Sequence, residues 1–154
     1  MARDVLGLSL SQKVIVILAL SSFCMGVTEF VIAGVLIDVQ KFFDIDAHKA
    51  GYLTTAYALG VVVGAPIVTI PLSSFNRKIQ LLLNLGIFGI ANFVLYVSDN
   101  FSLNVVARFI AGTQHGVFFV IATLTALQVS PKGKESHNLA LMVSGLTIAL
   151  VSGV

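Results

Sequence analysis

VIVILALSSFCMGVTEFVIAGVLI, residues 14–37, carries a single ionisable side chain, Glu29. A helix needs about 20 consecutive apolar residues to cross the hydrocarbon of a bilayer, and this run is long enough. Arg3 and Lys13 precede it, as basic residues precede the apolar stretch of a signal peptide. The run is too long for a signal sequence, however, and no small-residue cleavage site closes it, so it reads as a retained first membrane helix. Four more apolar blocks follow at 51–72, 79–97, 103–127 and 139–154. The expected fold class is an all-α membrane protein with about five transmembrane helices behind an N-terminal segment, residues 1–13. The fifth block reaches Val154 with no polar or interfacial residue behind it, so the sequence looks cut inside a helix.

Composition supports lipid as the solvent. Of 154 residues, 57% are hydrophobic and 10% charged, and the mean hydropathy is +1.00. A water-soluble domain carries about 25% charged residues. A net charge of +2 with no basic cluster gives nucleic acid nothing to bind. Cys24 is the single cysteine, so an internal disulfide is excluded, and no Cys/His spacing suggests a metal. Within its apolar block Cys24 is expected to be buried as a small apolar side chain.

Charge in the connecting segments sets the expected orientation. Arg3, Lys13, Arg77, Lys78, Lys132 and Lys134 fall on one side, and Lys41 and Lys49 on the other with Asp38, Asp44, Asp46 and Asp99. The positive-inside rule places the N-terminus and the Arg77-Lys78 loop in the cytoplasm. Small residues recur at packing intervals: Gly60 with Gly64, and Gly112 with Gly116. Each is a GxxxG pair that lets helix backbones approach closely in lipid. Pro66 is expected to bend its helix, and Pro71 with Ser73-Ser74 to mark its end.

Two ionisable residues are deep in the expected spans, Glu29 and Arg108. At a rise of about 1.5 Å per residue they lie roughly 12 Å and 7 Å below the outer ends of their segments, in the same half of the bilayer. A charge there costs about 3 kcal/mol on insertion scales and normally faces the protein interior or a water-filled cavity. The two are therefore expected to face one cavity and to interact. Two readings stay open: Glu29 is a protonatable carboxylate in a transport pathway tuned by Arg108, or the two form a static pair holding helices together. His115 follows Arg108 along the face that carries Gly112, with Gln114 beside it. It is a further transport candidate, or a hydrogen-bonding partner for a neighbouring helix. Gln114, Asn84 and Asn92 are candidate cavity-lining residues, and the two asparagines are expected to share a face and to bond across helices.

These residues also carry a resemblance. ARFIAGTQHGVF, residues 107–118, resembles the fourth-helix motif of the major facilitator superfamily, with Arg108, Gly112 and Gly116 at its fixed points. GVTEFVIAGVLID, residues 26–38, resembles the first helix of its drug–proton antiporter branch, where a membrane acid follows a threonine. YALGVVVGAPI, residues 57–67, is similar to the arabinose efflux permease-like members. The loop between the second and third helices departs from the family pattern of Gly, Asp and Gly before two basic residues. Thr69, Ser73 and Asn76 take the first three places, and Arg77 and Lys78 match. Gly145 and Gly153 resemble the start of the family's glycine-proline-rich fifth-helix antiporter motif, and the sequence ends before the expected proline.

The resemblance implies twelve helices in two six-helix halves around a site open alternately to each side. This chain would then be the N-terminal part of one half. It implies proton-coupled efflux of a small organic molecule, sugar or drug-like, across a bacterial inner membrane. The expected partners are that substrate, protons, the lipid bilayer and the missing C-terminal helices, with no cofactor. Alone, the chain is expected to be unstable and inactive. The competing reading is a structural or assembly protein of the membrane. An enzyme has little support, since the sequence shows no HExxH, no GxSxG and no clustered His or Asp at a membrane face.

Overall fold

The computed structural model describes residues 9–152, all helices and turns. Arg3, Gly153 and Val154 lie outside the described residues. The helices are α1 (Leu10–Gly34), α2 (Leu36–Phe43), α3 (Ala47–Leu72), α4 (Arg77–Val97), α5 (Phe101–Val129) and α6 (Glu135–Ser152). By length and apolar composition α1, α3, α4 and α5 can each cross a membrane. The apolar part of α6 follows a polar start, Glu135-Ser136-His137-Asn138.

Short polar residues start α1, α3, α4 and α5. At α1, Gln12 N–H donates to Ser9 Oγ (3.3 Å) and Ser9 N–H donates to Gln12 Oε1 (2.8 Å), a reciprocal capping box. The carboxylate of Asp46 accepts from Lys49 N–H (2.7 Å) at α3, Asn76 Oδ1 from Ile79 N–H (3.0 Å) at α4, and Asn100 Oδ1 from Leu103 N–H (3.0 Å) at α5. Each bond satisfies a backbone donor that a helix start leaves without an intrahelical partner. Before α6 the chain turns at Gly133, whose φ of 84° suits glycine, while Lys134 N–H donates to the Pro131 carbonyl (3.0 Å).

One expectation fails at residues 34–37. The first apolar run is not a single helix, because α1 ends at Gly34 and α2 begins at Leu36. Beyond Gly34 the pattern changes from apolar all round to amphipathic, with Asp38, Gln40 and Lys41 among Leu36, Phe42 and Phe43. Asp44 closes α2 in the left-handed conformation, φ 50°.

The described residues form two compact units, Ile32–Ile121 and the described parts of Met1–Val31 with Ala122–Val154. In the first, α3 and α5 pack backbone to backbone. A Cβ placed on Gly60 would collide with the Phe109 carbonyl, on Gly64 with the Thr113 carbonyl, on Gly112 with the Tyr57 carbonyl and on Gly116 with the Val61 carbonyl. The two GxxxG pairs thus interlock, each glycine admitting the other helix's backbone. In the second unit α1 meets α6 in the same manner. A Cβ on Gly145 would strike the Ala19 carbonyl, and one on Gly26 would lie 2.6 Å from Ala149 Cβ.

Large apolar side chains face outward over most of the helices, among them Val62, Ile70, Ile90 and Phe93. Such a surface belongs in lipid. Helix α5 differs: 67% of its apolar window is buried, against 28% for α1 and α3 and 22% for α4. Cys24 corrects the sequence reading, since it is exposed on α1. A helix apolar on every side gives no pattern from which to tell a lipid-facing position from a packed one.

Gly60→Val and Gly112→Val are expected to destabilise the protein by about 1–3 kcal/mol or more, because the added atoms meet backbone that cannot rotate away. Gly86→Ala and Gly89→Ala, where a Cβ meets nothing within 4 Å, should be neutral or stabilising by up to about 1 kcal/mol. Thermal unfolding in detergent measures both pairs. Equal midpoints for all four variants would refute the interlocked packing.

Candidate functional site

Within Ile32–Ile121 the α3/α5 contact holds a chain of polar groups. Leu53, Tyr57, Gly60 and Gly64 recur along one face of α3, and Arg108, Gly112 and His115 along one face of α5. The glycines bring the helices close enough for the longer side chains to meet. Arg108, only 2% exposed, donates from Nε to the Leu53 carbonyl at 3.4 Å. Its guanidinium carbon lies 4.1 Å from the centre of the Tyr57 ring, a cation–π contact. The Tyr57 hydroxyl shares a 2.6 Å hydrogen bond with His115 Nδ1. The His115 ring stacks on Phe119, centroids 5.0 Å apart at 20°.

The arrangement suits its residue types. Guanidinium is planar, stays charged and is weakly hydrated, so it tolerates burial against a ring face better than ammonium does. Tyrosine offers that face and also a polar tip, which reaches His115. A fixed cation is thereby joined through one aromatic ring to an imidazole that can give or take a proton. Tyr57 is the residue that the sequence reading missed as a site. It was visible there only as the first residue of the YALGVVVGAPI stretch. Its spacing of three and seven residues from Gly60 and Gly64, which places it on the glycine face, is the signal that could have found it.

The other candidates divide. Asn84 of α4 is fully buried and donates from Nδ2 to the Gln114 carbonyl (2.8 Å) and to Gln114 Oε1 (2.9 Å), tying α4 to α5. Asn92 bonds within its own helix, donating to the Phe88 carbonyl at 2.8 Å. The expected interhelical bond is thus found at Asn84 and not at Asn92. Eight residues at 3.6 per turn leave a rotation of about 80°, so the two asparagines share a face only loosely.

At the start of α4, Arg77 Nη1 donates to Gln80 Oε1 (3.1 Å), Gln80 Nε2 donates back to the carbonyl of Phe75 in the preceding loop (2.6 Å), and Lys78 is exposed. Asn76, where the family pattern has glycine, serves as the α4 cap. Ser73, where the pattern has an acid, donates from Oγ to the Ile70 carbonyl at 2.6 Å. Glu29 is part-exposed in the last third of α1 and belongs to the other unit, as does the neighbouring Thr28, whose hydroxyl donates to the Cys24 carbonyl at 3.1 Å.

Apolar spans with outward-facing hydrophobic side chains and a buried cation define a multi-pass helical membrane protein. Residues 18–154 match the Major Facilitator Superfamily model, and the chain belongs to that family. It is 35% identical over 137 residues to the inner membrane transport protein YdhP of Escherichia coli (strain K12), an alignment covering 89% of this chain and 35% of that protein. It is 36% identical over 143 residues to the putative transporter AraJ of the same organism, covering 93% of this chain and 36% of AraJ. A chloramphenicol resistance protein of Streptomyces lividans is 33% identical over 138 residues, covering 90% and 35% of the two chains. The chain therefore spans about a third of the length of the curated relatives it matches.

Proposed function

We propose that the chain is the N-terminal part of a secondary transporter that exports a small organic molecule from the cell in exchange for protons. The observation that carries this reading is the buried Arg108–Tyr57–His115 chain in membrane-spanning helices. Ionisable groups inside a membrane protein are expensive to place and mark substrate or proton pathways. In this reading Arg108 is the fixed charge, His115 and Tyr57 form a polar relay beside it, and Glu29 is the coupling acid. The name of one relative, a chloramphenicol resistance protein, favours export of a drug-like compound, and the resemblance of residues 57–67 to arabinose efflux permease-like members adds a sugar-like one. Because the relatives are about three times longer than the aligned region, the complete cycle is assigned to a longer protein and needs helices beyond those described. The membrane is the bacterial inner membrane, with the Arg77-Lys78 loop in the cytoplasm.

Everted membrane vesicles from cells expressing the full reading frame provide the test. Acidifying the lumen should drive uptake of chloramphenicol-like compounds or monosaccharides, and a protonophore should abolish it. A structural or assembly protein would accumulate none of them.

Orientation is checked separately. With Cys24→Ser as background, Lys41→Cys and Ser74→Cys place thiols at exposed positions in segments on opposite sides of α3. A membrane-impermeant maleimide added to intact spheroplasts should label position 41 and leave position 74 unmodified. Labelling of position 74 alone would invert the topology.

A further inference from the structure

The unit formed by α1, the end of α5 and α6 carries two depressions that share Leu141 and follow each other along the α1–α6 pair. The first is a cleft of about 410 Å³ at the start of both helices. It is lined by Ser9, Ser11 and Gln12 around the start of α1 and by Lys134, His137 and Asn138 around the start of α6. Among the described residues lining it there is no acid. Helix α1 begins at Leu10 and α6 at Glu135, so two helix N-termini border the cleft, each with a partial positive charge. The second is a groove of about 400 Å³ whose lining is apolar apart from Ser144, with Ile15, Ala19, Phe23 and Ile148 along its walls. From Ile15 to Phe23 the groove follows α1 for about 12 Å. One leaflet of the hydrocarbon is about 15 Å deep.

We infer that this surface is a binding site for an anionic phospholipid, with the headgroup phosphate at Lys134 and His137 and one acyl chain in the α1–α6 groove. Three features converge on an amphiphile rather than on a soluble anion or an apolar protein segment. The cleft carrying Lys134 and the apolar groove both border Leu141, polarity changes along the helix pair in the direction in which a lipid's does, and the groove runs most of the depth of one leaflet. The orientation assigned above, on which this placement rests, puts the cleft at the cytoplasmic leaflet. Anionic lipids gather there, and basic pockets between membrane helices bind their headgroups. The dry floor of the groove comes from Gly145, whose missing side chain lets α6 lie against the Ala19 backbone.

Native mass spectrometry of the full-length protein, purified in detergent and titrated with phosphatidylglycerol or phosphatidylcholine of equal chain length, tests the site without reference to transport or topology. The wild type should retain phosphatidylglycerol in preference. Lys134→Gln should reduce that retention about fivefold, and His137→Gln in addition, both at exposed positions, should reduce it further by removing a hydrogen-bond donor to the phosphate. Ile148→Trp, at a position 59% exposed, should fill the groove and lower retention of both lipids while the unfolding midpoint holds. Equal retention of the two lipids by the wild type would overturn the proposal. So would unchanged phosphatidylglycerol binding in both variants, as expected if other helices of the longer protein cover the groove. Displacement of the lipid by millimolar inorganic phosphate alone would reassign the cleft to a soluble anion and overturn it equally.

Discussion

Arg108→Ala is expected to lose about 2–5 kcal/mol of stability, the range for emptying a large buried site, and with it most of the protein in the membrane. The side chain is almost completely enclosed and spans the gap between the Leu53 carbonyl and the Tyr57 ring. Truncation opens a void between helices whose backbones already touch at Gly60 and Gly112. Those backbones cannot approach further to close it. Tyr57 then loses the cation that covers its face, and its hydroxyl bond to His115 loses its lateral support. Arg108→Lys separates charge from shape. Lysine keeps the cation but has no planar fork to lie on the ring and no Nε to reach Leu53. It should recover part of the stability, short by about 0.5–2 kcal/mol for the lost stacking. Arg108→Met keeps much of the volume without the charge. If folding alone required a filled site, methionine would restore both the unfolding midpoint and transport. The reading proposed here expects it to restore the midpoint and leave transport inactive. The measurements are membrane abundance, the unfolding midpoint in detergent and uptake into everted vesicles. A midpoint for Arg108→Ala within a degree of wild type would show that Arg108 does not occupy the α3/α5 contact.

The spans and the close helix contact were legible because they depend on composition and on simple spacing. Long apolar runs leave no other solvent than lipid, and glycines four apart make a flat strip on any helix. What stayed hidden depends on direction. Helix α1 is apolar on all sides, so the exposure of Cys24 left no periodic trace, and the break after Gly34 showed only in the amphipathic residues that follow it. Tyr57 was hidden differently. A tyrosine in an apolar run looks like ordinary packing until its neighbour across the helix contact is known, and that neighbour, His115, is 58 residues away. The loop before α4 shows a third limit. Asn76 and Ser73 read as losses from a family pattern, yet each makes a local bond, one starting α4 and one closing the end of α3. A pattern departure records the interaction removed and is silent about the one gained.

Glu29→Gln is expected to abolish proton coupling while leaving the protein folded. Glutamine has nearly the shape of a protonated glutamate and retains an oxygen and a nitrogen for hydrogen bonding, so any packing that Glu29 makes in its neutral form survives. What it cannot do is change charge. In the proposed cycle, protonation removes a charge from the membrane interior and alters which helix arrangement is preferred. With charge fixed at zero, the balance between the arrangements is the same at every pH. Proton-driven uptake into everted vesicles should fall about 5–150-fold, the span of typical coupling free energies. Exchange of labelled substrate at equal pH on both sides needs no net proton movement, so it should persist at a rate comparable to wild type and lose its dependence on pH. Glu29→Asp keeps the titrating group on a stem shorter by one methylene and should retain part of the coupling. A residue that merely holds helices together gives the opposite pattern: Gln and Asp would reduce abundance and both transport modes in proportion, and the pH profile of whatever transport remained would match that of the wild type. The two substitutions therefore separate the roles on the shape of the pH profile, which a change in the amount of folded protein cannot alter.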